Sequence, residues 1–247
     1  MNDMGSIVDI HTHILPALDD GATDLEMTRQ MLRMAYEEGV RYLFFTPHAD
    51  SYNYNKLSRI RKNMDAIREW CRDQEINLEL FLGAEIYYDS DESIKAIIKK
   101  LKREKYPTLN NTNLVLIEFY MGGITLQEVI PAMEALFEAG YIPVIAHVER
   151  YGLTFEELME LKNIGCLFQL NLCDLFYENT AWENEMNQMA RRLVKEKMID
   201  FVGTDAHDVE RRPAKVVEYV DYLYSNYDKE YIDDICVGNA ERLLKLG

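Results

Sequence analysis

A chain of 247 residues, 48% apolar and 28% charged, is too apolar for wholesale disorder and long enough for one large domain or two small ones. Its 27 Lys and Arg against 43 Asp and Glu leave a formal net charge of −16, a field that repels nucleic-acid phosphates and anionic lipid. Nucleic acid is thereby excluded as a general partner, and stable membrane insertion is excluded because no apolar run approaches the ~20 residues that span a bilayer.

Residues 1–6 show no basic segment followed by an apolar stretch, so no secretory signal is expected and the cytoplasm is the expected location. Apolar runs at residues 7–10, 42–45, 78–82, 114–119, 142–146, 166–170 and 199–202 have strand length. Several are apolar nearly throughout, as parallel strands covered on both faces require. Helical stretches fill the intervals. Thr23-x-x-Glu26, Thr125-x-x-Glu128 and Thr154-x-x-Glu157 read as capping boxes, and Gly39, Gly140 and Gly165 stand where the corresponding helices need a left-handed cap residue. Two helical stretches, near 214–224 and 231–244, end the pattern. Cys71, Cys166, Cys173 and Cys236 form no C-x-x-C pair and read as reduced thiols. With no linker-like tract and no repeat, residues 1–247 read as one α/β domain of βα units.

All five histidines, His11, His13, His48, His147 and His207, lie at or just after the C-terminal end of an expected strand. Carboxylates take equivalent places: Asp20, Glu85, Glu118 and Asp205. In a closed barrel those strand ends converge on one face, whereas an open sheet would scatter them along an edge, so a barrel is expected. In His11-Thr12-His13 an extended backbone points both imidazoles to the same side, and Asp205-Ala206-His207 repeats the i, i+2 spacing. Glu118 interrupts Leu114-Val115-Leu116-Ile117-Glu118-Phe119, where an unpaired carboxylate would cost several kcal/mol. A mixed imidazole and carboxylate set suits Mn²⁺, Fe²⁺ or Zn²⁺, and no cysteine is placed for a closed structural zinc site.

Arg150 and Arg212 fall on the same expected face, where guanidinium groups beside metal ions suit a phosphate. Either one alone would equally suit a salt bridge to a surplus acid. Cys236 to Arg242 has the spacing of a cysteinyl-phosphate loop, but it follows no strand and puts Glu241 where phosphate would bind. The basic stretches at 56–62 and 99–105 read as solvated faces. Tyr87, Tyr88 and Tyr120 read as pocket wall or core.

These motifs together resemble the PHP (polymerase and histidinol phosphatase) superfamily. More closely, they resemble the manganese-dependent protein-tyrosine phosphatases encoded with bacterial capsule and exopolysaccharide genes. The matching segments are Asp9-Ile10-His11-Thr12-His13-Ile14-Leu15-Pro16, Asp19-Asp20-Gly21-Ala22, Thr46-Pro47-His48, Gly83-Ala84-Glu85-Ile86, Leu116-Ile117-Glu118-Phe119, Pro143-Val144-Ile145-Ala146-His147-Val148-Glu149-Arg150 and Asp205-Ala206-His207. The resemblance implies a distorted seven-stranded TIM-like barrel holding three divalent ions, manganese first, with iron or zinc as alternatives. His11, His13, Glu85 and Asp205 correspond to ligands of one ion. Glu85 bridges to a second ion held by Glu118 and His147, while Asp20, His48 and His207 correspond to ligands of a third. Arg150 and Arg212 correspond to substrate-facing arginines. Metal-activated hydroxide would attack phosphorus, and His207 or a metal-bound water would protonate the leaving group. The implied partner is a phosphotyrosyl protein, the tail of a tyrosine autokinase. Two departures stand out: Asn171-Leu172-Cys173-Asp174-Leu175 lacks an expected Ser- and Gly-rich stretch, and Gly203-Thr204 replaces a more usual Ala-Ser.

Rival readings are a small-metabolite phosphatase of the histidinol-phosphatase kind, a metal-dependent amide hydrolase, and a metal-bound regulatory protein without turnover. The amide hydrolase would need a lysine at a strand end for carboxylation, and none is placed there.

Overall fold

Strand-length and helix-length segments alternate to build an α/β fold of parallel strands, seen in a computed structural model that describes residues 6–55, 57–88, 94–121, 123–176 and 180–246. Residues 1–5 and Lys56, the first of the basic stretch at 56–62, lie outside the described residues. The strands are β1 (Ile7–Thr12), β2 (Val40–Phe45), β3 (Glu79–Leu82), β4 (Glu85–Tyr88), β5 (Leu114–Phe119), β6 (Ile142–Ile145), β7 (Leu167–Asn171) and β8 (Phe201–Gly203). The main helices between them are α1 (Leu25–Glu37), α2 (Ser51–Tyr54), α3 (Leu57–Asp73), α4 (Ile94–Lys102), α5 (Leu126–Glu138), α6 (Phe155–Asn163) and α7 (Ala181–Lys195). After β8 come α8 (Val217–Asn226), α9 (Lys229–Asp233) and α10 (Asn239–Leu244).

Seven runs were expected and the described residues form eight strands, in sheets ordered β1-β2-β3 and β4-β5-β6-β7-β8 with every pairing parallel. The additional strand is β4, which lies beyond the third run at 78–82 and is separated from β3 by Gly83-Ala84. A Cβ on Gly83 would meet Leu109 Cδ2 at 2.7 Å and Thr46 Cγ2 at 3.2 Å, so a larger residue here would have to displace the buried Leu109 side chain. Before the break β3 pairs with β2; after it β4 pairs with β5, and Ala49 N donates to Glu85 O at 2.7 Å across the seam. At the other seam Asp205 N donates to His11 O and His13 N to Ala206 O, both at 2.8 Å. These two seams carry the sheet-to-sheet bridges Thr12–Ala206 and His48–Glu85.

Helix signals mostly act where they were read. Thr125 and Thr154 make reciprocal capping boxes with Glu128 and Glu157. The exception is the first. Asp24, not Thr23, caps α1, its carboxylate accepting from Met27 N at 2.9 Å, because two capping residues are adjacent and the backbone turns extended at the second.

Side-chain alternation then sorts the strands into two environments. On β5, Leu114 and Leu116 join a core with Phe44, Val144, Ala146 and Phe201 that α10 covers through Ala240 and Leu244, and Glu118 follows on the same face. On β7, Leu167 contacts this core, and Gln169 and Asn171 follow. Opposite faces pack against the helices in a second, larger core that includes Ile117, Phe119, Ile145 and Phe168. On β5 and β7 the face that packs into this core thus turns polar toward the C-terminal end.

Candidate metal centre

Glu85 is the hub of the polar cluster. Only 1% of its side chain is exposed, and four imidazoles face its two oxygens: His11 Nε2 and His147 Nε2 at 3.2 and 3.0 Å from Oε1, His13 Nε2 and His48 Nδ1 at 3.1 and 3.0 Å from Oε2. Asp205 Oδ1 lies 3.5 Å from His11 Nε2 and 3.6 Å from His13 Nε2. Glu118 reaches the other side, with Oε1 at 3.7 Å from His147 Nε2 and Oε2 at 3.8 Å from His48 Nδ1. Asp20, on the loop after β1, sits 3.3 Å from His48 Nε2 and 3.4 Å from His207 Nε2. All nine residues singled out in the sequence as ligands therefore come together. The groups overlap more than expected: His48 also faces Glu85 and Glu118 through its second nitrogen, His13 also stands with Asp20, His48 and His207, and His11 also stands with Glu85 and His147.

Donors at ~2.1 Å from one ion stand ~3.0–3.4 Å apart in octahedral or tetrahedral arrangements. Four groups of ligand atoms, each within 4.8 Å of one another, approach that spacing: His13, Asp20, His48 and His207; His11, His13 and Asp205; His11, Glu85 and His147; His48, Glu85 and Glu118. Their atoms are imidazole nitrogens and carboxylate oxygens, and the free Cys71, Cys166, Cys173 and Cys236 belong to no group. This donor set fits divalent first-row ions.

The ligand backbone is held in costly shapes. His147 (φ 31°) and Asp205 (φ 54°) both occupy the left-handed region, where a residue with a Cβ is strained by about 1–3 kcal/mol. Gly21 fits because a Cβ there would lie 2.0 Å from His13 O and 2.5 Å from His13 Cβ, so the Asp19–Asp20 loop folds directly onto the histidine. Behind the ring nitrogens stands an outer layer that the sequence did not disclose. His11 Nδ1 faces Gln169 Oε1 at 3.0 Å, His13 Nδ1 faces Asp19 Oδ2 at 2.7 Å, and His147 Nδ1 faces Tyr151 OH at 3.1 Å. Such partners fix ring orientation and tautomer. Gln169 could have been flagged by the signal that exposed Glu118, a polar residue inside an apolar strand. Asp19 and Tyr151 carry no such signal.

The electrostatics are those of a site built to be loaded with cations. Burial opposes the Glu85 charge, yet His11, His13 and His147 hold its carboxyl well below the ordinary range. Burial and then the neighbouring Glu85 push the Glu118 carboxyl up to about 7. Burial opposes the His48 charge too, but its bond to Glu85 brings it up to about 9, and His13 is likewise held high by Asp19 and Glu85. Burial and then the neighbouring His13 push His207 down to about 4. Its Nδ1 faces Asp205 O at 2.8 Å, so the neutral ring donates there and leaves Nε2 as a lone-pair ligand.

Arg150 and Arg212 do reach the centre, but neither is free. Arg212 Nη2 is bonded to Asp205 Oδ2. Arg150 Nη1 donates to the same oxygen at 3.1 Å, while its Nε and Nη2 grip Asp174 at 2.6 and 3.0 Å. Asp174 lies in the segment read as a departure, and the buried Glu149 stands beside it. Burial and then Asp174 hold the Glu149 carboxyl well above the ordinary range. Beside His48 and Glu118 opens a cleft of about 360 Å³ whose other walls are Ala49, Asp50, Ile86, Tyr87 and Tyr106. Tyr87 thus serves as wall, as expected, while Tyr120 is exposed. Cys236 is buried, and Arg242 is bonded to Asp234 and Asn239, so their spacing builds no anion loop.

Relatives agree with this geometry. Residues 7–245 match the family described as capsular polysaccharide synthesis, CpsB/CapC. Tyrosine-protein phosphatase YwqE of Bacillus subtilis is 31% identical over 97% of this chain and 92% of its own. Tyrosine-protein phosphatase CpsB of Streptococcus agalactiae is 29% identical over 97% of this chain and 98% of its own. A crystal structure from work on YwqE and Streptococcus pneumoniae CpsB, described as unique metal-dependent tyrosine phosphatases, superposes with a TM-score of 0.82 at 29% identity, covering 97% of this chain and 94% of that one. The chain belongs to the CpsB/CapC family of capsular polysaccharide synthesis.

Proposed function

We propose that this protein is a metal-dependent tyrosine-protein phosphatase that hydrolyses phosphotyrosine on a partner protein, the tail of a tyrosine autokinase controlling capsule or exopolysaccharide synthesis. One observation carries the reading: four buried or half-buried imidazoles converge on Glu85, flanked by Asp205, Glu118 and Asp20, with two guanidinium groups at the rim. The likeness to CpsB and YwqE supports it. The two sheets, joined at Thr12–Ala206 and His48–Glu85, are best read as one distorted barrel in which β3 and β4 form a single interrupted strand. Residues 1–247 act as one unit. Four free thiols suit the cytoplasm, and no described helix is long and apolar enough to cross a membrane.

His11, His13, Glu85 and Asp205 would hold one divalent ion, Glu85, Glu118 and His147 a second, and Asp20, His48 and His207 a third, manganese being the first choice and iron or zinc the alternatives. Bound divalent ions supply a water activated for attack on phosphorus and positive charge beside the phosphoryl oxygens. Arg150 and Arg212 hold the non-bridging oxygens, where charge grows as the ester breaks. The Ile86, Tyr87 and Tyr106 walls of the cleft beside Glu118 receive the aryl ring and keep water from it. Phenolate, whose conjugate acid has a pKa of ~10, departs with little help from a general acid, and His207 or a metal-bound water would supply the proton it takes up.

The test is hydrolysis of an aryl phosphate by chelator-stripped protein before and after Mn²⁺ is restored, together with elemental analysis. Turnover that returns with Mn²⁺, and that prefers a phosphotyrosyl peptide to histidinol phosphate, supports the reading. Preference for the metabolite, or a metal-loaded protein without turnover, overturns it.

A further inference from the structure

Asp174 occupies a stretch where the family resemblance calls for small residues, yet it is wholly buried and binds Arg150, one of the two arginines that reach the centre. Its two oxygens take Nε and Nη2 of Arg150, a side-on pair that sets the plane of the guanidinium. Asp205 Oδ2 takes a third N–H through Nη1. Two of the five N–H groups of Arg150 are left for an anion, and only 13% of the side chain is exposed.

The turn that carries Asp174 is itself anchored. Leu175 O accepts from Asn187 Nδ2 and from Arg191 Nε and Nη2, the last two at 3.2 and 2.9 Å, so α7 holds the turn from behind. Asn171, on the same segment, donates through Nδ2 to Asp205 Oδ2 at 2.9 Å. One short segment after β7 thereby grips both the arginine and the carboxylate that the arginine touches. An unrestrained arginine keeps rotamer freedom that substrate binding would have to remove.

We propose that Asp174 is a positioning residue that locks the Arg150 fork, so that its two remaining N–H groups meet the substrate phosphate without reorganisation. This rests on Arg150 facing the substrate, as read above. Asp174 touches neither substrate nor ion; it acts through Arg150.

The experiment is a double-mutant cycle on the Mn²⁺-loaded protein, with an aryl phosphate as substrate and inorganic phosphate as competitive inhibitor. Asp174→Ala should raise KM and the phosphate inhibition constant about tenfold, with kcat held within about threefold and metal content unchanged, a loss of about 1.4 kcal/mol in binding. Asp174→Asn, which keeps the shape and one acceptor oxygen, should fall between and carries the test if the alanine variant does not fold. In an Arg150→Ala background neither change should shift KM further. A rise in KM of the same size in both backgrounds, or no rise in folded, metal-loaded Asp174 variants, overturns the clamp. If Arg150→Ala itself leaves KM and phosphate inhibition unchanged, the substrate role of Arg150 fails instead, and that outcome is distinguishable because it does not involve Asp174.

Discussion

Replacing Tyr151 by Phe removes one oxygen from the centre and nothing else. The ring is buried between Phe119 and His147, with centroids 5.1 and 5.6 Å away, so the packing survives. The hydroxyl oxygen accepts from Phe119 N at 3.1 Å, and its second lone pair accepts from His147 Nδ1–H, also at 3.1 Å, which leaves the Nε2 lone pair for an ion. Burial pushes the hydroxyl well above the ordinary tyrosine range, so the phenol stays neutral. Two consequences follow, and they differ in size and in assay. A buried Phe119 N–H without an acceptor should cost the metal-free protein about 1–3 kcal/mol, which lowers Tm by about 2–12 °C for a domain of this size. A His147 ring without its outer partner should bind its ion about 10–100-fold more weakly, or about 1.4–2.7 kcal/mol. Thermal unfolding of the stripped protein reads the first, and calorimetric Mn²⁺ titration reads the second. A lower Tm with unchanged metal affinity would make the hydroxyl only a backbone anchor, and the argument that Tyr151 orients His147 would be refuted.

Further outcomes separate ligands from substrate groups. Glu118→Ala or His147→Ala should remove one equivalent of metal and lower kcat by about a hundredfold or more, since an outer-layer change already costs up to that much. Arg150→Ala should keep its metal and raise KM about tenfold; equal metal loss in all three variants would sink the separate roles. Gly21→Ala drives a Cβ to 2.0 Å from His13 O, so the loop must shift and carry Asp19 and Asp20 with it; metal analysis should show fewer bound ions, and an unchanged count would contradict the close approach. Metal affinity should rise with pH. His48 holds its proton up to about pH 9 and Glu118 up to about pH 7 in the stripped protein, whereas ligation needs both unprotonated. Apparent affinity should therefore climb at least tenfold per pH unit below pH 9 and more steeply below pH 7, with proton release visible in buffers of different ionisation enthalpy. A flat profile would contradict this.

The nine ligand-type residues were legible in the chain because each breaks a local rule. Histidines fall at strand ends, i, i+2 pairs face one way along an extended backbone, and Glu118 sits where a carboxylate needs a partner. Strand and helix order were legible for the same reason, since burial periodicity and capping are properties of a few neighbouring residues. The break at Gly83-Ala84 was not, because it answers to Leu109 and Thr46, which only folding brings there. Nor was the choice of Asp24 over Thr23, two adjacent residues with the same capping chemistry.

Which ring or guanidinium each outer partner serves lay beyond reach. Gln169 serves a histidine 158 residues away, and Asp174 serves an arginine 24 residues away that the chain could have paired with any of its many acids. Local spacing thus dictated which atoms could bind an ion and which segments could form strands. Which hydrogen-bond partner orients each ring, and which carboxylate restrains each arginine, was decided by loops meeting at one end of the sheets, because those bonds act over a few ångströms in space and are indifferent to distance along the chain.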